Sequence, residues 1–149
     1  MSELALKLIK EAKEKRLTRL DLGNCGLTEL PDELFELTWL EELNLGMYGD
    51  DYENVKSQRI FESKSNNQNR ISGLPFKISY LTNLKKLWIV GDYGDDYQLG
   101  SLRNLGNIET LSNLILLDIS NNYVSNISPL TKLINLQVLK ISEIGRAHV

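Results

Sequence analysis

Residues 17–31, LTRLDLGNCGLTELP, read L-x-x-L-x-L-x-x-C-x-L-x-x-L with a proline after the last leucine. The apolar positions are Leu17, Leu20, Leu22, Cys25, Leu27 and Leu30. The x-L-x-L portion alternates with period two, so its leucines share one face of a short strand and its x residues the other. The later L-x-x-L spacing suits a helical or 3₁₀ turn. Residues 114–129, LILLDISNNYVSNISP, repeat the pattern through Leu114, Leu117, Ile119, Asn122, Val124 and Ile127. Asparagine takes the slot that Cys25 holds in the first copy. One such unit cannot bury its own leucines. Stacked units share a continuous core, and about three or more are needed for stability.

Aligned on the first leucine, units start at Leu17, Leu40, Leu84, Leu114 and Leu136, spaced by 23, 44, 30 and 22 residues. The first and last spacings are plain repeats, and the middle two carry insertions near residues 48–68 and 93–100. The second unit opens at Leu40, Leu43 and Leu45 and resumes at Asn69, Ile71 and Leu74. The third opens at Leu84, Leu87 and Ile89 and resumes at Leu102, Leu105, Ile108 and Leu111. Pro31, Pro75 and Pro129 follow the fourth conserved apolar position of their units. Proline cannot donate to a sheet ladder, so it marks where the chain leaves the strand side. In the Cys25/Asn122 slot an asparagine amide can donate and accept, satisfying backbone groups of adjacent coils. Cys25 then reads as a small buried residue and not as a nucleophile.

This pattern resembles the leucine-rich repeat. Residues 27–38, LTELPDELFELT, resemble its 23-residue bacterial class, and residues 124–133, VSNISPLTKL, the 22-residue class also seen in internalins. Residues 25–31, CGLTELP, are similar to bacterial intracellular repeat proteins, including the N-terminal arms of Roco-type GTPases. The resemblance implies an α/β solenoid, with parallel β-strands on the concave face and helical or irregular turns on the convex face. Residues 1–16 are expected to form an N-terminal capping helix, with Ser2 as N-cap and Leu4, Leu8, Ile9 and Ala12 on its buried face. The repeat domain is expected over residues 1–142. Residues 143–149, EIGRAHV, resemble the conceptual translation of a common sequencing adapter and are expected to be a non-native tail. On that reading the chain continues beyond Ser142, and Leu136, Leu139 and Ile141 lie at an open apolar edge.

Composition limits the function. The chain has 149 residues, 42% of them hydrophobic and 25% charged, with a formal net charge of −3. That suits one soluble domain. The mild acidity and the lack of a Lys/Arg run argue against nucleic acid. No apolar run reaches the roughly 18 residues of a membrane span. Lys7, Lys10 and Lys13 interrupt the N-terminal apolar residues, so no signal peptide is recognised and a cytoplasmic location is expected. The single Cys excludes a disulfide framework and a Cys-rich zinc site, and the single His, His148, lies in the tail. There is no Ser/His or Cys/His set, no P-loop and no G-x-G-x-x-G. Neither an enzyme nor a cofactor is expected.

A protein–protein interaction module is the function this pattern predicts, with the concave face and the insertions as contact surface. One column of outward strand residues is Arg19, Glu42, Lys86, Leu116 and Val138, and the next is Asp21, Asn44, Trp88, Asp118 and Lys140. These ten are the expected partner-binding residues. Trp88 reads either as an exposed anchor beside Leu116 and Val138, or as a tryptophan covered by the neighbouring insertion. The motif YGDDY occurs twice, at residues 48–52 and 93–97. Asp50, Asp51, Asp95 and Asp96, with Asp92, could together ligate Ca²⁺; solvated acidic loops are the simpler reading and no metal is assigned. The polar run from Glu53 to Gln68 is expected to be a mobile loop. The alternative function is the recognition arm of a larger signalling enzyme such as a Roco-type GTPase. A P-loop encoded beyond codon 142 would decide for it.

Overall fold

The computed structural model describes residues 2–53, 56–62, 67–92 and 100–142, with Glu53 and Lys56 as backbone only. The expected tail, and Asp95 and Asp96 of the second YGDDY motif, lie outside the described residues. Helix α1 (Glu3–Lys15) is followed by strands β1 (Arg19–Asp21), β2 (Glu42–Asn44), β3 (Gly49–Glu53), β4 (Lys56–Phe61), β5 (Lys86–Trp88), β6 (Leu116–Asp118) and β7 (Val138–Lys140). The sheet order is β1-β2-β5-β6-β7, and every pairing in it is parallel. The register puts Leu20, Leu43, Leu87, Leu117 and Leu139 in one row, as the period-two reading requires. Leu43, Leu87 and Leu117 are fully buried, because a coil lies on each side. Leu139 on the edge strand is 38% exposed.

Three strands of the main sheet end for a local reason. Asp21, Asn44 and Asp118 close strands β1, β2 and β6. Their Oδ1 atoms accept the backbone N–H of Gly23 (2.9 Å), Gly46 (3.1 Å) and Ser120 (3.0 Å), two residues on. Such side-chain turns compete with the ladder and end it. Gly46 then passes the next coil so closely that a Cβ would collide with the backbone of Val90. Beyond β1, β4, β5 and β6 the chain turns into a 3₁₀ helix: Asp32–Glu36, Phe76–Tyr80, Ile108–Thr110 and Ser128–Lys132. Pro31 and Pro75 stand immediately before the first two, and Pro129 lies in the first turn of the last. These helices bury Leu34, Ile78, Ile108 and Leu130 against the leucines of the sheet.

Ser2 caps α1 as expected, its Oγ accepting the Ala5 N–H at 3.1 Å. The buried face is turned slightly from expectation: Ala5, Ile9 and Ala12 are buried and Leu8 partly so, whereas Leu4 is 50% exposed. The helix packs on β1 and on the first 3₁₀ helix, and the two alanines on that face let it approach.

Two asparagine ladders tie the coils together. In the first, Asn69 Oδ1 accepts from the N–H groups of Cys25 (3.1 Å) and Leu27 (2.8 Å). Its Nδ2 donates to the carbonyls of Leu22 and Leu45, both at 2.9 Å. Asn122 does the same two interfaces on, between the third and fourth coils. Oδ1 accepts from Leu102 N–H (3.1 Å), and Nδ2 donates to Ile89 (2.6 Å), Ile119 (3.1 Å) and Ser120 (3.1 Å) carbonyls. The second ladder lies one residue before the first leucine of each unit. Asn83, Asn113 and Asn135 donate to the carbonyls of Thr38 (2.8 Å), Thr82 (2.6 Å) and Ser112 (2.9 Å) in the preceding coil. Trp39 fills this place in the second coil, its indole N–H donating to Leu17 O at 2.9 Å. In the sequence the triplets TNL (82–84) and SNL (112–114) carry this ladder. Water can replace the exposed amide of Asn113. Asn113→Ala is therefore expected to cost about 1 kcal/mol in urea unfolding.

The second insertion leaves and rejoins the stack through Gly91 and Gly100. A Cβ on Gly100 would lie 2.5 Å from Gly91 Cα, so only glycine allows the loop base to close this tightly. Their N–H groups reach the Ser120 (2.9 Å) and Asn121 (2.6 Å) carbonyls, which keeps the coil in register across the inserted residues.

The first insertion departs from expectation. Within the run from Glu53 to Gln68 expected to be a mobile loop, Lys56–Phe61 is strand β4, which forms an antiparallel hairpin with β3 pairing Asp50 with Arg59, Asp51 with Gln58 and Tyr52 with Ser57; residues 54, 55 and 63–66 of that run lie outside the described residues. The physical reason lies outside the segment, in the apolar side chains it meets on the sheet.

Candidate functional site

The two columns of outward-facing side chains form as the strand register dictates. Arg19, Glu42, Lys86, Leu116 and Val138 pair across the sheet in one row, and Asp21, Asn44, Trp88, Asp118 and Lys140 in the other. The hairpin then folds across them. Trp88 is fully buried, its indole N–H donating to Asp50 O at 2.8 Å. The Phe61 ring meets it edge to face, centroids 5.2 Å apart at 75°. Phe61, Trp88 and Leu116 form a second small core, with Tyr52, Ile60 and Val138 packed round it. Gly49 is required at the crossing: a Cβ there would lie 2.8 Å from the Phe61 ring and 3.1 Å from the Trp88 ring.

Charges fasten the hairpin. Lys86 Nζ meets Asp51 Oδ2 at 2.6 Å. Arg59 donates to both carboxylate oxygens of Asp50, at 2.7 and 3.4 Å, and stacks on Tyr48 with its guanidinium 3.9 Å from the ring centroid. At the two ends, Arg19 lies 5.8 Å from the Phe61 centroid and Lys140 5.3 Å from that of Tyr52. Arg19 also pairs with Glu42 at 3.3 Å.

This placement divides the ten expected contact residues. Asn44, Trp88, Leu116 and Asp118 are buried and meet no partner while the hairpin is in place. The reading of Trp88 as an exposed anchor is thereby replaced by that of a tryptophan covered by the insertion. Arg19 and Lys140 are exposed, and Asp21, Glu42, Lys86 and Val138 half-buried. The hairpin adds exposed Ser57, Gln58 and Arg59, none of which periodicity could single out because the insertion does not repeat.

Asp118 is the buried acid of this face. Burial pushes its carboxyl up from the ordinary value, and Asp50 adds to the rise; the Ser120 hydrogen bonds and Lys140 oppose it. A raised folded-state value means that the folded protein holds the proton more firmly than the unfolded chain. Stability then falls as pH rises from the unfolded carboxylate range through the folded value. Asn44 makes the equivalent Oδ1 hydrogen bond without a charge. Asp118→Asn is therefore expected to raise the melting midpoint at about pH 7 and to leave it nearly unchanged at about pH 3. Thermal scans at the two pH values check this. Burial likewise pushes the Cys25 thiol up, as does nearby Asp21, which suppresses the thiolate a nucleophile needs.

Of the carboxylates considered for a cation, Asp50 and Asp51 are ion-paired with Arg59 and Lys86. Among the described residues no three His, Cys, Asp or Glu side chains gather as a metal site requires.

No family model matches the chain, and no curated protein does. Solved structures do. An internalin (InlF) from Listeria monocytogenes superposes with a TM-score of 0.62 over 92% of this chain at 17% identity. The fold is a leucine-rich-repeat solenoid. Internalin C2 from the same species gives a TM-score of 0.54 over 96% of this chain at 22% identity. The chain spans 32% of the first neighbour's length and 65% of the second's. Within this solenoid the hairpin stands on the concave sheet, the face that the repeat leaves free.

Proposed function

We propose that this leucine-rich-repeat chain is a protein-binding module whose contact surface is the concave face as rebuilt by the hairpin. One observation carries the reading: the insertion is folded down on the outward strand residues with a small core of its own. The stacked leucines complete the main core without it. A hairpin is marginal alone in water, so this one is held by the sheet and in turn presents a preformed surface. That surface runs from Arg19 and Glu42, over Ser57, Gln58 and Arg59, to Val138 and Lys140. Its mixed charges and partly exposed apolar groups suit a protein better than a polyanion or a bilayer.

The test compares the intact chain with Arg19→Glu/Arg59→Glu/Lys140→Glu as bait in extract of the source cells, read by quantitative mass spectrometry. A partner retained by the first and depleted at least about tenfold by the second supports the concave face. Arg59→Gln by circular dichroism and melting checks that loss of the Asp50 pair has not released the hairpin. Identical captured sets for both baits would remove this proposal.

A further inference from the structure

The charges of the concave face are sorted by depth. In the two outward columns the exposed charged residues are Arg19 and Lys140, and the hairpin adds Arg59. The acids lie beneath them. The side chains of Glu42, Asp50 and Asp51 are 19%, 17% and 15% exposed, against 51% for Arg19 and 46% for Arg59. Asp118 is buried, and Asp21 accepts from the Asn44 amide and the Gly23 N–H, each at 2.9 Å. A chain of net charge −3 therefore shows cations on the face where the solenoid is free to be touched.

Each of these cations stands over a ring: Arg59 over Tyr48, Arg19 over Phe61 and Lys140 over Tyr52. A side chain held in this way loses less freedom when it meets a ligand. Their spacing follows from the sheet. Arg19 stands on β1 and Lys140 on β7, the two ends of the five strands. Arg59 pairs with Asp50, whose carbonyl accepts the indole N–H of Trp88 on the middle strand β5. With strands about 4.8 Å apart, successive cations lie roughly 10 Å from one another, about three residues of extended chain.

We propose that the concave face binds an acidic segment of a partner protein, extended across the strands with Asp or Glu at every third position. The proposal rests on the concave face being the contact surface. Carboxylates at that spacing meet Arg19, Arg59 and Lys140 in turn, in charge-assisted hydrogen bonds. A basic segment meets like charge on the same three groups. A long polyanion gains the three contacts but also meets the net negative charge of the rest of the chain. Glu62, exposed and near enough for its charge to act on Arg59, works against the segment.

The test selects a random dodecapeptide phage library on the intact chain, synthesises the consensus and measures its binding by fluorescence anisotropy. The expected consensus carries Asp or Glu at three-residue spacing and loses affinity several-fold as salt is raised. Arg19→Gln/Lys140→Gln should weaken it at least about fivefold while leaving the Arg59–Asp50 and Lys86–Asp51 pairs in place. Glu62→Gln should tighten it, and still decides should the double variant fail to fold. A basic or uncharged consensus that Ser57→Arg/Gln58→Arg no longer binds overturns the acidic partner and leaves the concave face standing as the contact surface. No consensus, or an acidic one that neither the double variant nor Glu62→Gln alters, overturns the proposal. So does a twelve-residue oligothymidylate that competes as well as the acidic peptide, which would assign the cations to nucleic acid.

Discussion

Trp88→Ala is expected to lower the free energy of unfolding by about 3–5 kcal/mol. The melting midpoint should fall by roughly 10 °C or more in a chain of this size. Four losses combine. The indole leaves a cavity in a site with no exposure. Phe61 loses its edge-to-face partner. The Asp50 carbonyl loses its donor. Leu116 loses its cover. Part of the cost falls on the hairpin alone, so trypsin should cut after Arg59 faster in the variant than in the parent at temperatures where both remain folded. An exposed recognition tryptophan behaves differently: its removal weakens binding and leaves the midpoint almost unmoved. An unchanged midpoint would therefore return Trp88 to the surface.

Asn122→Ala is expected to cost about 3 kcal/mol or more in urea unfolding. The side chain is 1% exposed and serves one donor and three acceptors, those of Leu102, Ile89, Ile119 and Ser120. Alanine leaves these backbone groups buried without partners, at about 1–3 kcal/mol for each that water cannot reach. Asn122→Asp keeps the acceptor but loses both donors and buries a charge, so it should be at least as damaging near neutral pH. The comparison with Asn113→Ala isolates burial as the cause. Both residues bridge adjacent coils through an amide, but Asn113 does so in contact with water. Equal losses for the two would show that coil bridging, and not burial of the orphaned groups, sets the cost.

Much of the solenoid was legible before any coordinates. Leu20, Leu43, Leu87 and Leu117 form the inner row because a period of two in each strand and the same place in each unit leave no other face for them. The three prolines mark the entry to 3₁₀ turns because they lack an N–H wherever the ladder stops. Asn122 bridges coils because its slot recurs at a fixed place in the unit. The helix face was read one residue off at Leu4, since what α1 packs against set its rotation and buried Ala5 instead.

The candidate site was legible only as two columns. Which members of the columns see solvent depends on the hairpin, and of its residues only the YGDDY segment has a second copy in the chain. Its strongest ties run from Asp50 O to Trp88 and from Asp51 to Lys86, between residues 38 and 35 apart in the chain, and among the described residues no other coil has a counterpart. Glu53 to Gln68 is polar in composition, so nothing local distinguishes a loop from a strand there. Phe61 becomes a core residue only once Trp88 is brought beneath it.

By itself, then, the sequence determined the stack: its strands, their register, the turns between them and the amides that bridge them. Each of those follows from local period and from contacts with the next coil, which recur at the same place in each unit. Only the tertiary structure decided that the first insertion is a hairpin, that Trp88, Leu116 and Asp118 lie beneath it, and that Phe76 and Tyr80 stand exposed. Those outcomes rest on contacts between segments that share no period, and their energies exist only when the fold has brought the partners together.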